Sequence, residues 1–384
     1  MNCFYRGILY TIFVYISIPA EKIICKEMLI FYEYQIYTYI FTVDKAIKVL
    51  YNMRVITARR IDMYTIGIDL GGTNIAVGLC DENLNIIDKI SAPTNAHRSA
   101  EEITQDMASL ASTLISKNGL KISNIESVGI ASPGSIDSKG GIVEYSNNIY
   151  MRNFPMIEVF KKYLHADKVF LANDANAAAY GEALAGSARG AKSTVMITLG
   201  TGVGGGIIID GKIFTGGLNG SGAELGHTVI VSGGRQCSCG RLGCLEAYAS
   251  ATALAAVTRE KMHTLKIKNI PSALFECEKN EGRVSARTAF DAMRMGDKYG
   301  KEIVDFYIKH LAEGITNFIN IFQPEIICIG GGVCNEKDYL LKPLCELVDT
   351  EQYTRANSKK TKIVIATLGN DAGIVGAAGL GRQA

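Results

Sequence analysis

A unit of strand, glycine turn and strand occurs twice in this chain of 384 residues, and that recurrence restricts the fold more than any other feature. In the first copy Tyr64–Leu70 reads as a strand, Gly71-Gly72-Thr73-Asn74 as a turn, and Ile75–Asp81 as a second strand. A turn at Glu82–Asn85 leads to a third strand, Ile86–Ala92. In the second copy Thr194–Leu199 is a strand, Gly200–Gly206 a turn with five glycines in seven residues, and Ile207–Gly211 a strand closing on an Asp-Gly hairpin signal. Setting Ile68-Asp69-Leu70-Gly71-Gly72-Thr73 beside Ile197-Thr198-Leu199-Gly200-Thr201-Gly202 predicts a duplicated lobe. Each copy then offers one glycine turn whose backbone N–H groups can face a cleft between the lobes.

Gly200-Thr201-Gly202-Val203-Gly204-Gly205 has the form G-x-G-x-x-G. A dinucleotide fold needs a helix directly after that turn, with the pyrophosphate on its N-terminus. Here the β-branched Ile207-Ile208-Ile209 follows, which argues against such a fold. Glycines still let the backbone approach phosphate closely and form an anion nest, although a plain glycine-rich hairpin is the alternative. A third cluster, Gly330-Gly331-Gly332, follows the strand-like Glu325–Ile329, at a junction where open α/β sheets bind nucleotides. Helical stretches at 100–118, 154–164, 175–186, 246–261 and 299–322 separate the strands, and Asn370-Asp371 is expected to cap a last Ala/Gly-rich helix. Alternation of this kind indicates α/β lobes.

Between Gly222 and Tyr248 the chain carries His227, Cys237, Cys239 and Cys244, flanked by Glu224 and Glu246. Three thiolates and an imidazole suit tetrahedral Zn²⁺, and four protein ligands leave no position for a catalytic water. The expectation is a structural metal that fixes a loop with two acids beside it. Plain packing of small cysteines is the alternative, and Cys237 and Cys239 stand too close in sequence for an unstrained disulfide.

Asp174 lies at the end of a strand, Lys168–Leu171, and opens a helix. As a helix N-cap it would be merely structural. The small residues around it and the phosphate-type loops elsewhere point instead to phosphoryl transfer, in which a carboxylate accepts the proton of the acceptor hydroxyl. On this reading Asp174 is the base and Asp69 anchors Mg²⁺ through water. Asn173, Glu224, His227 and Glu246 read a polyol, since acids and amides accept from and donate to several hydroxyls.

Forty Lys+Arg against 38 Asp+Glu give a net charge of +2, with no footprint for nucleic acid. Ten scattered cysteines fit a reducing, cytoplasmic compartment. Residues 1–62 differ from the rest: the first 63 residues hold eight of the 18 tyrosines and only one of the 40 glycines, Gly7. The apolar run Gly7–Ala20 is too short to span a bilayer, so no membrane partner is expected, though it resembles a weak signal peptide. A dispensable leader is the expectation, a membrane-associating extension the alternative.

Five motifs together resemble the ROK family of repressors and sugar kinases, within the actin-like ATPase and hexokinase superfamily. They are Asp69–Asn74, Asn173–Asn176, Leu199–Gly206, Glu224–His227 and Cys237–Glu246, the last being highly specific. The resemblance runs from about Met63 to the end. It implies a two-lobed actin-like (ribonuclease H-like) duplicated α/β fold, with a small lobe of residues 64–172 plus 371–384. The large lobe would be 173–370, with a zinc-binding loop at 227–244. It further implies that Asp174 is the catalytic base and that Pro133, Gly134, Asn173, Glu224, His227 and Glu246 hold a hexose. His227 would serve both zinc and sugar, one ring nitrogen for each. ATP with Mg²⁺ would lie against Asp69, Gly71, Gly72, Thr73, Asn74, Gly200, Thr201, Gly202, Gly204, Gly331 and Gly332. The resemblance is nearest to kinases acting on glucose; N-acetylglucosamine, N-acetylmannosamine, mannose or fructose are alternative substrates. Dimers or tetramers are usual in the family. A sugar-responsive repressor is the other class, but residues 1–62 show no capped pair of short helices for DNA.

Overall fold

The computed structural model describes residues 63–383 apart from 148, 218, 219 and 221, together with Thr42 and Lys45. The expectations for residues 1–62, leader or membrane-associating extension, therefore fall outside the described residues. The chain divides between residues 61 and 62 into two units, and the architecture below is that of the second.

Strands β1 (Tyr64–Leu70), β2 (Asn74–Cys80) and β3 (Ile86–Pro93) form an antiparallel meander. Helix α1 (Ala100–Lys117) crosses to β4 (Ile125–Ser132), parallel to β1. A small antiparallel sheet follows, of β5 (Ser135–Asp137), β6 (Ile142–Ser146) and β7 (Met151–Phe154). Helix α2 (Met156–Tyr163) then leads to β8 (Val169–Asn173), parallel to β4. The first main sheet thus runs β3-β2-β1-β4-β8.

Helix α3 (Asp174–Ala185) leads to β9 (Thr194–Leu199), β10 (Val203–Ile209) and β11 (Lys212–Phe214). Five helices follow: α4 (Glu246–Ala249), α5 (Ala251–Ile267), α6 (Ala273–Glu281), α7 (Ala286–Arg294) and α8 (Lys298–Phe322). The chain closes with β12 (Ile326–Gly330), α9 (Asp338–Glu351), β13 (Lys362–Ile365) and α10 (Ala372–Gly379). The second main sheet, β11-β10-β9-β12-β13, repeats the first in order and in strand direction. The duplication read from the two glycine turns is therefore a duplication of whole sheets.

Helix α8 illustrates how the second core forms. Asp297 caps it through the N–H groups of Tyr299 and Gly300, and Ile303, Tyr307, Ile308, Leu311, Ile315 and Phe318 bury one stripe. Burying each such side chain contributes about 1.5–3 kcal/mol. The apolar core on this side is continuous with Ile197, Leu199, Ile327 and Ile329 of the sheet, while the first sheet has a separate core around Ile66, Ile68, Val77 and Ile130. Helix α10 packs backbone to backbone on the first sheet and on α3. A Cβ at Gly129 would lie 1.8 Å from the Ala377 carbonyl oxygen, and one at Gly376 would lie 1.7 Å from that of Ala177.

Several sequence expectations are corrected. Asn74 and Gly204–Gly206 lie within strands β2 and β10, so the turns proper are Gly71–Thr73 and Gly200–Gly202. The glycines of β10 are needed because the strand lies against α3: a Cβ at Gly206 would meet the Ala179 side chain at 2.5 Å. The helix expected over 246–261 breaks at Ser250, whose extended backbone and hydroxyl cap α5 by accepting the Ala253 N–H. Asp371 stands at the N-cap position of α10 as expected but makes no side-chain capping bond; its carboxylate pairs with Lys89 at 2.7 Å. Helices α6, α7 and α9 and the strands β4–β7 were not anticipated from the sequence, although Ser285 caps α7 and the helix buries one face through Thr288, Ala289, Phe290 and Ala292.

Candidate active site

The strand β8 delivers Asn173 and Asp174 to one corner. Asn173, not Asp174, is the N-cap of α3: its Oδ1 accepts the N–H groups of Ala175 (3.0 Å) and Asn176 (3.2 Å). The structural alternative for Asp174 is thereby taken by its neighbour. The Asn173 Nδ2 donates to the Gly134 carbonyl at 3.0 Å. Gly134 has φ +106° and packs so closely on β6 that a Cβ would lie 2.1 Å from the Tyr145 carbonyl oxygen, so only glycine fits that turn. Pro133 beside it is buried.

Asp174 Oδ1 accepts its neighbour Ala175 N–H at 2.8 Å, at the positive end of α3. Burial is the main influence on this carboxyl and raises its pKa; the Glu224 carboxylate adds to the rise. Asp69, the penultimate residue of β1, is pushed up to about 6, first by burial and then by the charge of Asp174. Two half-buried acids, both raised by burial, form a site suited to a divalent cation, whose charge would offset both effects.

The Gly71–Thr73 turn follows Asp69 by two residues, and the second glycine segment is tied to α3 and α5. Gly204 packs on the Ala175 side chain, placing β10 against the first turn of α3. The Gly200 carbonyl accepts the Ala251 N–H at 2.8 Å, so the N-terminus of the 17-residue helix α5 abuts the Gly200–Gly202 turn. A separate chain segment thus supplies the positive helix end that would have followed directly in a dinucleotide fold. Gly331 (φ +90°) lies on the Leu199 peptide, with a Cβ position 2.4 Å from its carbonyl oxygen, bringing the third glycine cluster to the same turn. Gly72, Thr73, Asn74 and Thr201 are exposed.

Glu224 leads into a 3₁₀ turn, Leu225–His227, that is seated on β10; a Cβ at Gly226 would lie 2.0 Å from the Val203 carbonyl oxygen. From there the cysteine loop folds back through bridges Val229–Cys244 and Gln236–Leu242. The ligand atoms of His227, Cys237, Cys239 and Cys244 all lie within 4.8 Å of one another. Cys239 and Cys244 sulfurs are 3.8 Å apart, and Cys237 Sγ is 3.6 Å from His227 Nδ1. A tetrahedral zinc with Zn–S bonds of about 2.3 Å requires edges of about 3.8 Å, so the set fits that metal. Burial, with the adjacent Cys239 and Cys237 thiols, pushes the Cys244 thiol up to about 12, a penalty that a cation among the sulfurs would remove. The cysteines among the described residues are free, so no disulfide competes.

Glu246 joins this loop to the phosphate-type turn. Its Oε1 accepts the Ser238 hydroxyl at 2.7 Å, and its Oε2 accepts the Val203 N–H at 3.1 Å. A Cβ at Gly202 would lie 2.4 Å from the same Oε2, so a side chain there would displace the Glu246 carboxylate. Ser238 and Tyr248 were missed from the sequence. Tyr248 stacks on His310 at 4.5 Å and its hydroxyl accepts the Arg235 N–H at 2.7 Å, bracing the loop on α8. Only contact between distant segments reveals that role.

The model of the ROK family matches residues 65–384. A glucokinase of Thermotoga maritima is 40% identical over 323 residues, covering 82% of this chain and 96% of that protein. One from Halalkalibacterium halodurans is 36% identical, covering 84% and 96%. Among solved structures, a ROK family glucokinase of Streptomyces griseus in complex with glucose and AMPPNP is 31% identical with a TM-score of 0.66, covering 84% of this chain and 100% of that one. With its duplicated sheets and its cysteine loop, this chain belongs to the ROK family.

Proposed function

We propose that the protein is an ATP-dependent glucokinase that transfers the γ-phosphoryl group of ATP to the 6-hydroxyl of glucose. The observation that carries this reading is the corner where Asn173 caps α3 and Asp174, with one oxygen on the Ala175 N–H, stands beside it. The Asp174 carboxyl is raised toward neutrality by burial and lies beside the Asn173–Gly134 contact and Glu224. Asp174 accepts the proton of the sugar hydroxyl as its oxygen attacks phosphorus, a contribution of about a hundred- to ten-thousand-fold. Asn173, Glu224, His227, Glu246 and the Pro133-Gly134 turn orient the hexose. The backbone N–H groups of the turns at Gly71–Thr73 and Gly200–Gly202, with Gly331-Gly332, hold the nucleotide. Bound Mg²⁺ would neutralise phosphate charge, and Asp69 is the residue to hold it, through water. Zn²⁺ would be held by His227, Cys237, Cys239 and Cys244, where it supplies rigidity rather than chemistry. His227 Nδ1 faces Cys237, which leaves Nε2 for a sugar hydroxyl.

Other parts of the proposal are a cytoplasmic setting and a homodimer or homotetramer. Among the described residues, no helix is long and apolar enough to cross a membrane. A panel of hexoses with MgATP tests the reading. Glucose is expected to give the highest kcat/KM; a preference for N-acetylmannosamine or N-acetylglucosamine would redirect it to another sugar kinase.

A further inference from the structure

Behind the Gly331-Gly332 turn lies an ion cluster that the proposed chemistry does not use. Residues Gly332–Glu336 form a 3₁₀ turn, and Glu336 at its end is buried. Its Oε2 accepts Arg294 Nη1 at 2.6 Å, and Arg294 sits at the C-terminal end of α7. The other guanidinium nitrogen, Nη2, pairs with Asp291 one turn back on α7. The guanidinium carbon also stands 5.2 Å from the ring centre of Tyr339 at the start of α9. Arg294 thus ties three segments together: α7, the 3₁₀ turn and α9. The turn in question is the one whose first glycine, Gly331, lies against the Leu199 peptide, directly before Gly200.

We infer that Arg294 is a positioning residue for nucleotide binding: through Glu336 it fixes the Gly331–Glu336 turn against the Gly200 turn. The inference rests on the kinase reading above. The physical argument is that a buried carboxylate holds one place only while its partner is present, since an unpaired buried charge draws in water or shifts the backbone. The planar fork of arginine serves Glu336 and Asp291 from two separate nitrogens in fixed geometry, whereas lysine would have to reach both carboxylates from one nitrogen and so would hold them less firmly. Displacement of the turn would alter the surface offered to ATP. It would leave the sugar corner at Asn173 and Asp174 in place.

The test is steady-state kinetics on Arg294→Lys and Arg294→Met, with calorimetric titration of MgADP into each full-length protein. Both variants are expected to raise the KM for ATP and weaken MgADP binding, by about tenfold for Met, with KM for glucose and kcat held within about twofold. Arg294→Lys, which keeps a cation beside Glu336, is expected to fold even where Met does not and to show a smaller rise. Wild-type KM for ATP and wild-type MgADP affinity in a folded variant would overturn the inference. So would equal losses for both substrates, which would signify a general packing role. If the wild-type protein itself phosphorylates no sugar, the kinase reading fails instead, and MgADP titration still reports on Arg294.

Discussion

At the scale of single residues, the account turns on two carboxyls. Asp174→Asn keeps the shape of the corner and removes the base; kcat is expected to fall by about a hundredfold or more while glucose still binds. Single-turnover phosphorylation with a parallel glucose titration measures both. The second residue, Asp69, has a folded pKa of about 6 against 3.8 as a free side chain. A raised carboxyl pKa means that between about pH 4 and 6 the folded protein holds a proton that the unfolded chain has released. Its contribution to stability is therefore present at acid pH and is lost as pH rises through that window. The ionised forms would serve catalysis, so kcat/KM, which reports the enzyme before substrate and cation bind, is expected to fall as pH drops below the value of about 6 to which burial brings Asp69. A profile flat down to pH 4.5 would contradict the burial argument. The candidate base was legible in the sequence, but the assignment of the cap to its neighbour was not, because Asn and Asp are equally good caps and only the structure shows Asn173 taking the task.

At the scale of elements, the cysteine loop and α10 carry separate predictions. Cys239→Ser removes one of the four candidate zinc ligands; on the proposed reading, zinc content by mass spectrometry is expected to fall below one per chain, with the melting temperature and glucose affinity falling together. A variant that retains a full equivalent of zinc and melts unchanged would remove the metal from the account. For α10, Gly129→Ala places a methyl group against the Ala377 carbonyl, and backbone cannot yield as a side-chain tip can. A loss of about 2 kcal/mol in unfolding free energy is expected from this overpacking, read by denaturant melts. These elements differ in legibility. The ligand set could be read from residue types alone, and the 3.6–3.8 Å spacings suit it. The glycines of α10, β1 and β4 could not be interpreted, since their reason is an approach of segments about 195 to 310 positions apart in sequence. The break at Ser250 was hidden for a similar cause: Ala251 answers to Gly200, not to its own neighbours.

At the scale of the whole molecule, two sheets with one strand order explain why the chain carries two glycine turns, each joining the first two strands of its half. Duplication was legible because Ile68–Thr73 and Ile197–Gly202 keep the same alternation of strand and glycine. The extent of the turns was overread, because glycines inside β10 serve close packing on α3 and not a loop. Helices α6, α7 and α9, and with them the Arg294 cluster, were not anticipated, although the Ser285 cap and amphipathic pattern of α7 stand in the sequence; the pairing of Arg294 with Glu336 needs the fold to appear. The central claim is that Asp174, the two glycine turns and the zinc-braced loop together make a glucose-phosphorylating site. The measurement that tests it most directly is the rate of glucose 6-phosphate formation from glucose and MgATP by the purified protein, beside its Asp174→Asn variant. The account predicts multiple turnovers by the protein and almost none by the variant. Absence of glucose phosphorylation by the unaltered protein, or equal rates in the two, would contradict it.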